Sequence, residues 1–244
     1  VAKGQLRADP IPLSNAILTT ASTASCLPFR ENRFLQWICA GMALAFLAAA
    51  YRPDTVFDWA LENALVCGFV LALIWFYNKL PLSDLSYLCI LGYLALHEWG
   101  AHYKYSDVPL GEWMKGWLHT QRNHYDRVVH FAFGLMLSYP MQEVFIRGAR
   151  VGGMWRYYFP IEATLACSAI YEMMEAGMAS ILSPQRGEEF VGMQGDIWDS
   201  QEDMLVAGLG SVVAMIVIYQ LRKRRATAAA MRELEYAGHA KSVK

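Results

Sequence analysis

Ten residues of this chain have the types and spacing of a metal or acid–base site: His97, Glu98, His102, Asp126, His130, Glu172, Glu175, Asp196, Asp199 and Asp203. Glu98 and His102, Asp126 and His130, and Asp199 and Asp203 are four apart, and Glu172 and Glu175 are three apart, so on helices each pair shares a face. Imidazole mixed with carboxylate is the ligand set of zinc, manganese or iron, whereas calcium and magnesium sites avoid histidine. Seven of the ten are carboxylates, with Arg122, Arg127 and Arg186 as the nearby cations. Like charges in a partly dry site cannot all ionise unaided, so protons, the arginines or a metal must supply positive charge. We expect a divalent ion held among His97, His102, Asp126, His130, Glu175, Asp196, Asp199 and Asp203, with Glu98 or Glu172 left over as general base. A purely structural hydrogen-bonded network and a proton or cation site for transport are the alternatives. His97-Glu98 followed by His102 is not the zincin His-Glu-x-x-His, because the extra residue turns the second histidine about 100° away from the first.

The elements that must carry these residues are apolar. The 244 residues are 55% hydrophobic and 18% charged, against about 45–50% and about 25% in soluble domains. Mean hydropathy is +0.21. Apolar runs recur at Phe34–Tyr51, Trp59–Tyr77, Asp84–Tyr103, Tyr125–Ile146, Tyr157–Leu182 and Asp199–Leu221, each long enough to cross a membrane as a helix. The fold expected is an all-α polytopic bundle of six transmembrane helices. Fifteen of the 21 lysines and arginines fall on the side of the termini and six on the other, which places both termini in the cytoplasm. The divisions expected are a cytoplasmic arm at 1–29, a membrane domain at 30–221 with outer loops 104–124 and 183–198, and a basic tail at 222–244. The tail reads either as a helix on the anionic inner leaflet or as a solvated stop-transfer segment. A net charge of −1 excludes a nucleic-acid binder.

With this orientation all the paired acids and histidines sit at the outer ends of four helices. Most lie within roughly 10 Å of the outer surface, and Glu172 about 15 Å down. A charged group at a helix centre costs roughly 2.5–3.5 kcal/mol on insertion scales, so a one-sided gathering needs a reason. Glu62 and Asn63, near the outer end of the second run, are placed to join it. The inner halves offer only scattered Ser138, Gln142, Thr164 and Ser168. Pro109, Leu110, Trp113, Met114, Trp117 and Leu118 have the spacing of an interfacial helix anchored by two tryptophans. Gly187, Gly192 and Gly195 would let the second outer loop fold back as a lid. The cysteines Cys39, Cys67, Cys89 and Cys167 read as small apolar core residues, with no Cys-x-x-Cys spacing. His119, His124 and His239 read as surface histidines, with His124 the nearest recruit to the cluster.

The runs HEWGAHYKYSDVPLGEW, RNHYDRVVHFAFG, YEMMEAGMA and GMQGDIWDSQEDM resemble the signature blocks of the YjdF-like family of bacterial inner-membrane proteins, over roughly Arg30 to Leu221. That family is a domain of unknown function, so the resemblance implies fold and inner-membrane location rather than activity. A weaker similarity is to VanZ-like membrane proteins, with an Asp-Lys/Arg-x-x-His-Phe block matching Asp126, Arg127, His130 and Phe131. A Tyr-Glu-x-x-Gln block matches Tyr171 and Glu172, with Glu175 where Gln is usual. A last Asp-x-x-x-Asn-x-x-Gly block matches Asp199, with Asp203 where Asn is usual and Val206 where Gly is usual.

The function expected is metal-dependent hydrolysis or transfer on a lipid-linked substrate at the periplasmic side, with oxygen chemistry at a di-iron centre kept open. Expected partners are membrane lipids and that substrate, with an oligomer or a membrane-complex partner left open. The competing readings are a non-catalytic accessory or assembly subunit and a proton- or cation-coupled transporter.

Overall fold

The computed structural model describes residues 28–242, with the side chains of 188, 189 and 233–242 outside the description. The arm at 1–29 and its Cys26 therefore lie almost wholly outside the described residues, as does the side chain of His239. Eight α-helices run in order: α1 (Arg33–Ala50), α2 (Val56–Phe76), α3 (Asp84–Tyr103), α4 (Pro109–Leu118), α5 (Tyr125–Arg147), α6 (Trp155–Ile181), α7 (Pro184–Val191) and α8 (Asp199–Ser242). A short 3-10 turn, Tyr105–Asp107, joins α3 to α4, and there is no strand among the described residues. Six of these helices are 18 residues or longer. Three of them, α1, α2 and α8, are also apolar enough to qualify as membrane spans by composition alone. The other three, α3, α5 and α6, have the length to cross and are the helices whose hydropathy the ionisable residues lower.

The expected helix limits hold to within three residues at every boundary except one. Helix α8 does not stop at Leu221 but continues to Ser242, about 66 Å in all at 1.5 Å per residue. The basic tail is thus the end of the last helix rather than a separate segment. The expected interfacial helix is α4. Pro109 opens it at N1, where a missing N–H costs nothing. His119 closes it in left-handed conformation. Trp113 and Trp117 stack with centroids 5.9 Å apart and are largely exposed. The second outer loop carries its own helix, α7, ahead of the glycines at 192 and 195.

Helix α5 is the hub: it packs on α8 most extensively, then on α3 and α6, while α6 also packs along α8. The close approach of α5 and α8 is set by small residues. A Cβ on Gly134 would fall 1.8 Å from the Ala207 carbonyl oxygen, and one on Gly210 would fall 2.2 Å from that of Phe131. Without a hydrophobic drive between helices in lipid, this backbone proximity is what dispersion and interhelical hydrogen bonds require.

Around that crossing, three rows at i, i+4 spacing face one another. They are Asp126-His130-Gly134-Ser138-Gln142 on α5, Glu172-Ser168-Thr164-Pro160 on α6, and Asp199-Asp203-Ala207-Ser211-Met215 on α8. Rows of this kind are the ridges by which helices interdigitate. Their inner portions form a closed seam. Ser138 Oγ lies 3.2 Å from Thr164 Oγ1 and donates to Ser211 Oγ at 2.6 Å. Pro160 has no N–H for the Arg156 carbonyl four residues back, and Gln142 Nε2 donates to that carbonyl instead at 2.8 Å. Arg222 donates to Gln142 Oε1 at 2.9 Å. Ser138, Gln142, Thr164 and Ser211 are fully buried. Of the inner polar groups expected to be scattered, Ser138 and Thr164 are thus joined through Ser211, Gln142 bonds the α6 backbone beside them, and Ser168 stays apart without a partner. Glu143 is equally committed, accepting from Ser83 N and Ser86 Oγ at 2.7 Å each and so capping the start of α3.

Candidate ion-binding site

At their outer ends the same three rows meet as charge rather than as hydroxyls. Asp126 and His130 come from the first two turns of α5 and Asp203 from the second turn of α8. One ligand atom of each lies within 4.8 Å of the others. Glu172 of α6 completes the set, its Oε1 3.5 Å from His130 Nε2, while Asp126 Oδ1 is 3.6 Å from the same nitrogen. His130, Glu172 and Asp203 are buried. Glu172 Oε1 and Asp203 Oδ1 have no hydrogen-bond partner. Buried polar atoms are nearly always satisfied, and leaving a charged one bare costs several kcal/mol, roughly.

Two of these residues, Asp126 and His130, border a chamber of about 120 Å³ that Tyr93, His97, Tyr105 and Ser168 also line. His97 is 5% exposed; its Nδ1 is engaged by the Tyr105 hydroxyl at 2.6 Å, and its Nε2 is without a partner. Ser168 Oγ is likewise unpartnered. Cys167 lines the chamber and is exposed on the outer flank of α6. It lies fourteen residues before Ile181, about 21 Å along the helix from its outer end. One wall residue of the chamber thus also faces the outside of the bundle at hydrocarbon depth. Cys39, Cys67 and Cys167 are exposed and Cys89 is half-buried, so none of the four is the core residue the sequence suggested.

Immediately outside the chamber the charges are paired. Arg122 binds Asp199, and Arg127 binds Asp196 at 2.8 Å, Asp199 at 3.4 Å and Glu202. Arg127 Nε reaches Asp203 only at 3.8 Å. Asp196 lies in the loop before α8; the Trp198 N–H and then Arg127 hold its carboxyl below the usual range. The loop holding Arg122 is latched to the one holding Asp196. Arg122 donates to the Met193 carbonyl at 2.6 Å, while Asn123 N donates to Gln194 Oε1 at 2.8 Å and Gln194 Nε2 to the Asn123 carbonyl at 3.1 Å. Asn123 is fully buried and also donates to the Val108 carbonyl and Glu112. A Cβ on Gly111 would meet Asn123 Oδ1 at 1.6 Å, so only glycine admits this contact.

The ten sequence candidates therefore separate. The structure brings together Asp126, His130, Glu172 and Asp203, with His97 on the same chamber. Asp196 and Asp199 are committed to arginines. His102 does not join: its Nδ1 contacts the Ala49 carbonyl at 2.9 Å, tying α3 to the end of α1. Glu98, although i−4 to His102, turns to Trp59 and Asn63 of α2, with Oε2 unpartnered. Glu175 is half-buried beside Tyr171, Glu62 and Asp126. Glu62, on the expected side of α2, accepts from the Tyr171 hydroxyl at 2.9 Å. His124 precedes α5, where burial and then Arg127 and Arg122 hold its imidazole below its ordinary pKa, so its surroundings are cationic. Asn123, Gln194, Tyr105 and Tyr171 were not singled out as site residues from sequence. A buried phenol or amide has no spacing signature of its own.

A family profile described as "Predicted membrane protein (DUF2238)" matches residues 34–224. The chain belongs to this family. It is also 33% identical over 168 residues to the inner membrane protein YjdF of Escherichia coli (strain K12), covering 68% of this chain and 80% of that protein. No solved structure matches. The DUF2238 match spans all six long helices up to the start of the basic stretch, so the chamber is part of the family domain. The protein is a multi-pass inner-membrane protein.

Proposed function

We propose that this DUF2238 protein binds a divalent transition metal at Asp126, His130 and Asp203 and uses it for hydrolysis or group transfer on a lipid-linked substrate at the outer side of the inner membrane. The observation that carries the reading is the under-satisfied buried acid: Asp203 Oδ1 and Glu172 Oε1 accept no hydrogen bond, and Arg127, committed to Asp196, Asp199 and Glu202, approaches Asp203 only at 3.8 Å. A cation at that point removes the penalty. An imidazole among the carboxylates favours zinc, manganese or iron over calcium or magnesium. A bound ion of this kind lowers the pKa of water and polarises a phosphoryl or carbonyl oxygen. Glu172, beside His130 and outside the closest triad, is the group placed to take the proton. The exposure of Cys167, a wall residue of the chamber, at hydrocarbon depth supports a substrate arriving from lipid, and Trp113 and Trp117 on α4 supply an interfacial anchor close by.

The test is turnover with native lipid extract in proteoliposomes, followed by mass spectrometry of released headgroups. Release is expected with metal-loaded protein. It is lost in Glu172→Gln with the metal retained, and lost together with the metal in Asp126→Asn. Turnover unchanged in Glu172→Gln contradicts the assignment of the base.

A further inference from the structure

The lipid approach proposed at Cys167 leaves a further need, since a hydrolytic site also requires a way in for water and for the ion. A second crevice lies directly outside the chamber. It holds about 20 Å³, space for about one water, and is lined by Asp58, Glu62, Ala101, Lys104, Tyr105, Ser106, Phe190 and Gly192. It sits at the outer end of α3, beneath α7. Tyr105 lines both cavities. Glu62, at the crevice's inner end, is bonded to Tyr171, which lines the chamber. Two phenols thus form the partition between the aqueous side and the unpartnered His97 Nε2.

Tyr105 stands outside the long helices of the bundle. It stands on a three-residue 3-10 turn directly after Lys104, whose φ is 59°, a left-handed conformation for a residue with a side chain. Its ring lies over Gly100, where a Cβ would come within 2.6 Å, so the ring has a seat that glycine alone leaves open. What holds it there is the hydrogen bond to His97 together with packing on Val108, Tyr125 and Val129. The charge along the crevice is graded. At the rim Asp58 is paired with Arg186 at 3.1 Å and Lys104 stands alongside. At the inner end Glu62 has a phenol rather than a cation as its hydrogen-bond partner.

We infer that water and small cations reach the chamber from the outer aqueous face through this crevice, with Tyr105 as its gate and Glu62 as the charge that favours cations. The purpose of the route rests on the ion-site reading above; its geometry rests on the two cavities alone.

The test therefore avoids the metal. In full-length protein whose native cysteines are replaced, Val129→Cys places a thiol on the chamber wall. Its rate of reaction with small water-soluble methanethiosulfonates, one cationic and one anionic, reads access. Tyr105→Ala should raise the cationic rate by about tenfold, as expected for a barrier lowered by about 1.4 kcal/mol. Tyr105→Phe keeps the ring, loses the bond to His97 and should give a smaller rise. Glu62→Gln, with the gate intact, should abolish the preference for the cationic reagent, which keeps the inference testable if Tyr105→Ala does not fold. Rates unchanged in Tyr105→Ala, or a charge preference untouched by Glu62→Gln, overturn the route. Absence of metal from the wild-type protein would overturn the ion site and leave these rates as they are.

Discussion

Two buried polar regions occupy consecutive stretches of the same three helices, and they are resolved in opposite ways. In the inner one, Ser138, Thr164, Ser211 and Gln142 are neutral, fully buried and bonded to one another or to the Arg156 carbonyl. In the outer one, Asp126, His130, Glu172 and Asp203 are ionisable and gathered within a few ångströms, yet Glu172 and Asp203 each keep an oxygen without a partner. Between them Gly134 brings α5 against the Ala207 carbonyl and seals one from the other. A satisfied hydroxyl seam fastens helices; an unsatisfied acidic group costs stability, which is the ground on which the proposed ion site rests. The seam also bears on transport. Polar groups do extend through the inner half, but Ser138, Thr164, Ser211 and Gln142 are bonded to one another or to the Arg156 carbonyl and line neither cavity.

The strongest way to break this division is at its boundary. Gly134→Val forces α5 from α8, since even the first carbon would collide with backbone. A cost of about 3 kcal/mol or more is expected, seen as loss of monodisperse protein in detergent size-exclusion chromatography. Next is the pairing just outside the chamber. Arg122→Ala strips Asp199 of one of its two guanidinium partners and should destabilise by about 3 kcal/mol, measured by thermal unfolding. Smaller again is the seam: Ser211→Ala removes one interhelical bond and should cost about 1 kcal/mol. Asp203→Asn, two turns outward in the same row, should leave the melting temperature of metal-free protein unchanged or raise it, because it removes one of several crowded buried carboxylates whose contact with Arg127 is a long 3.8 Å.

The smallest effect is electrostatic and lies in the loop. The Asp196 carboxyl is held below its ordinary value of 3.8 by the Trp198 N–H and Arg127. Its pKa is depressed in the folded state, so its contribution is present above pH 4 or so and is lost as pH falls through the folded value. Melting temperature measured downward from pH 5 should decline less steeply in Asp196→Asn than in wild type.

Much of this was legible in the sequence. The helix limits followed from hydropathy and punctuation, and the one that failed, at Leu221, failed because a basic stretch ends a membrane span without ending a helix. Residues four apart were correctly placed on one face: Asp126 with His130, and Asp199 with Asp203. What spacing could not say is which face meets which helix. Glu98 and His102 share a turn spacing too, yet one meets α2 and the other the end of α1. The division of the acids between arginines and the chamber was hidden for a different reason: Arg122 and Asp196 come from loops, where the Asn123–Gln194 latch fixes positions that no periodicity encodes. The seam was visible as Ser138, Gln142 and Thr164 and not as a group, because Ser211 was not seen to continue the row from Asp203.

The central claim is that the bare acids hold a metal. Metal content of the full chain, purified in detergent, stripped with chelator and reloaded with zinc, manganese or iron in turn, tests it directly. About one tightly held equivalent of one metal is predicted, as for a preformed three-ligand site, lost in Asp203→Asn and His130→Ala and retained in His102→Ala. Loaded wild-type protein that retains less than about 0.2 equivalents of each metal, or retention unchanged in Asp203→Asn, would contradict it.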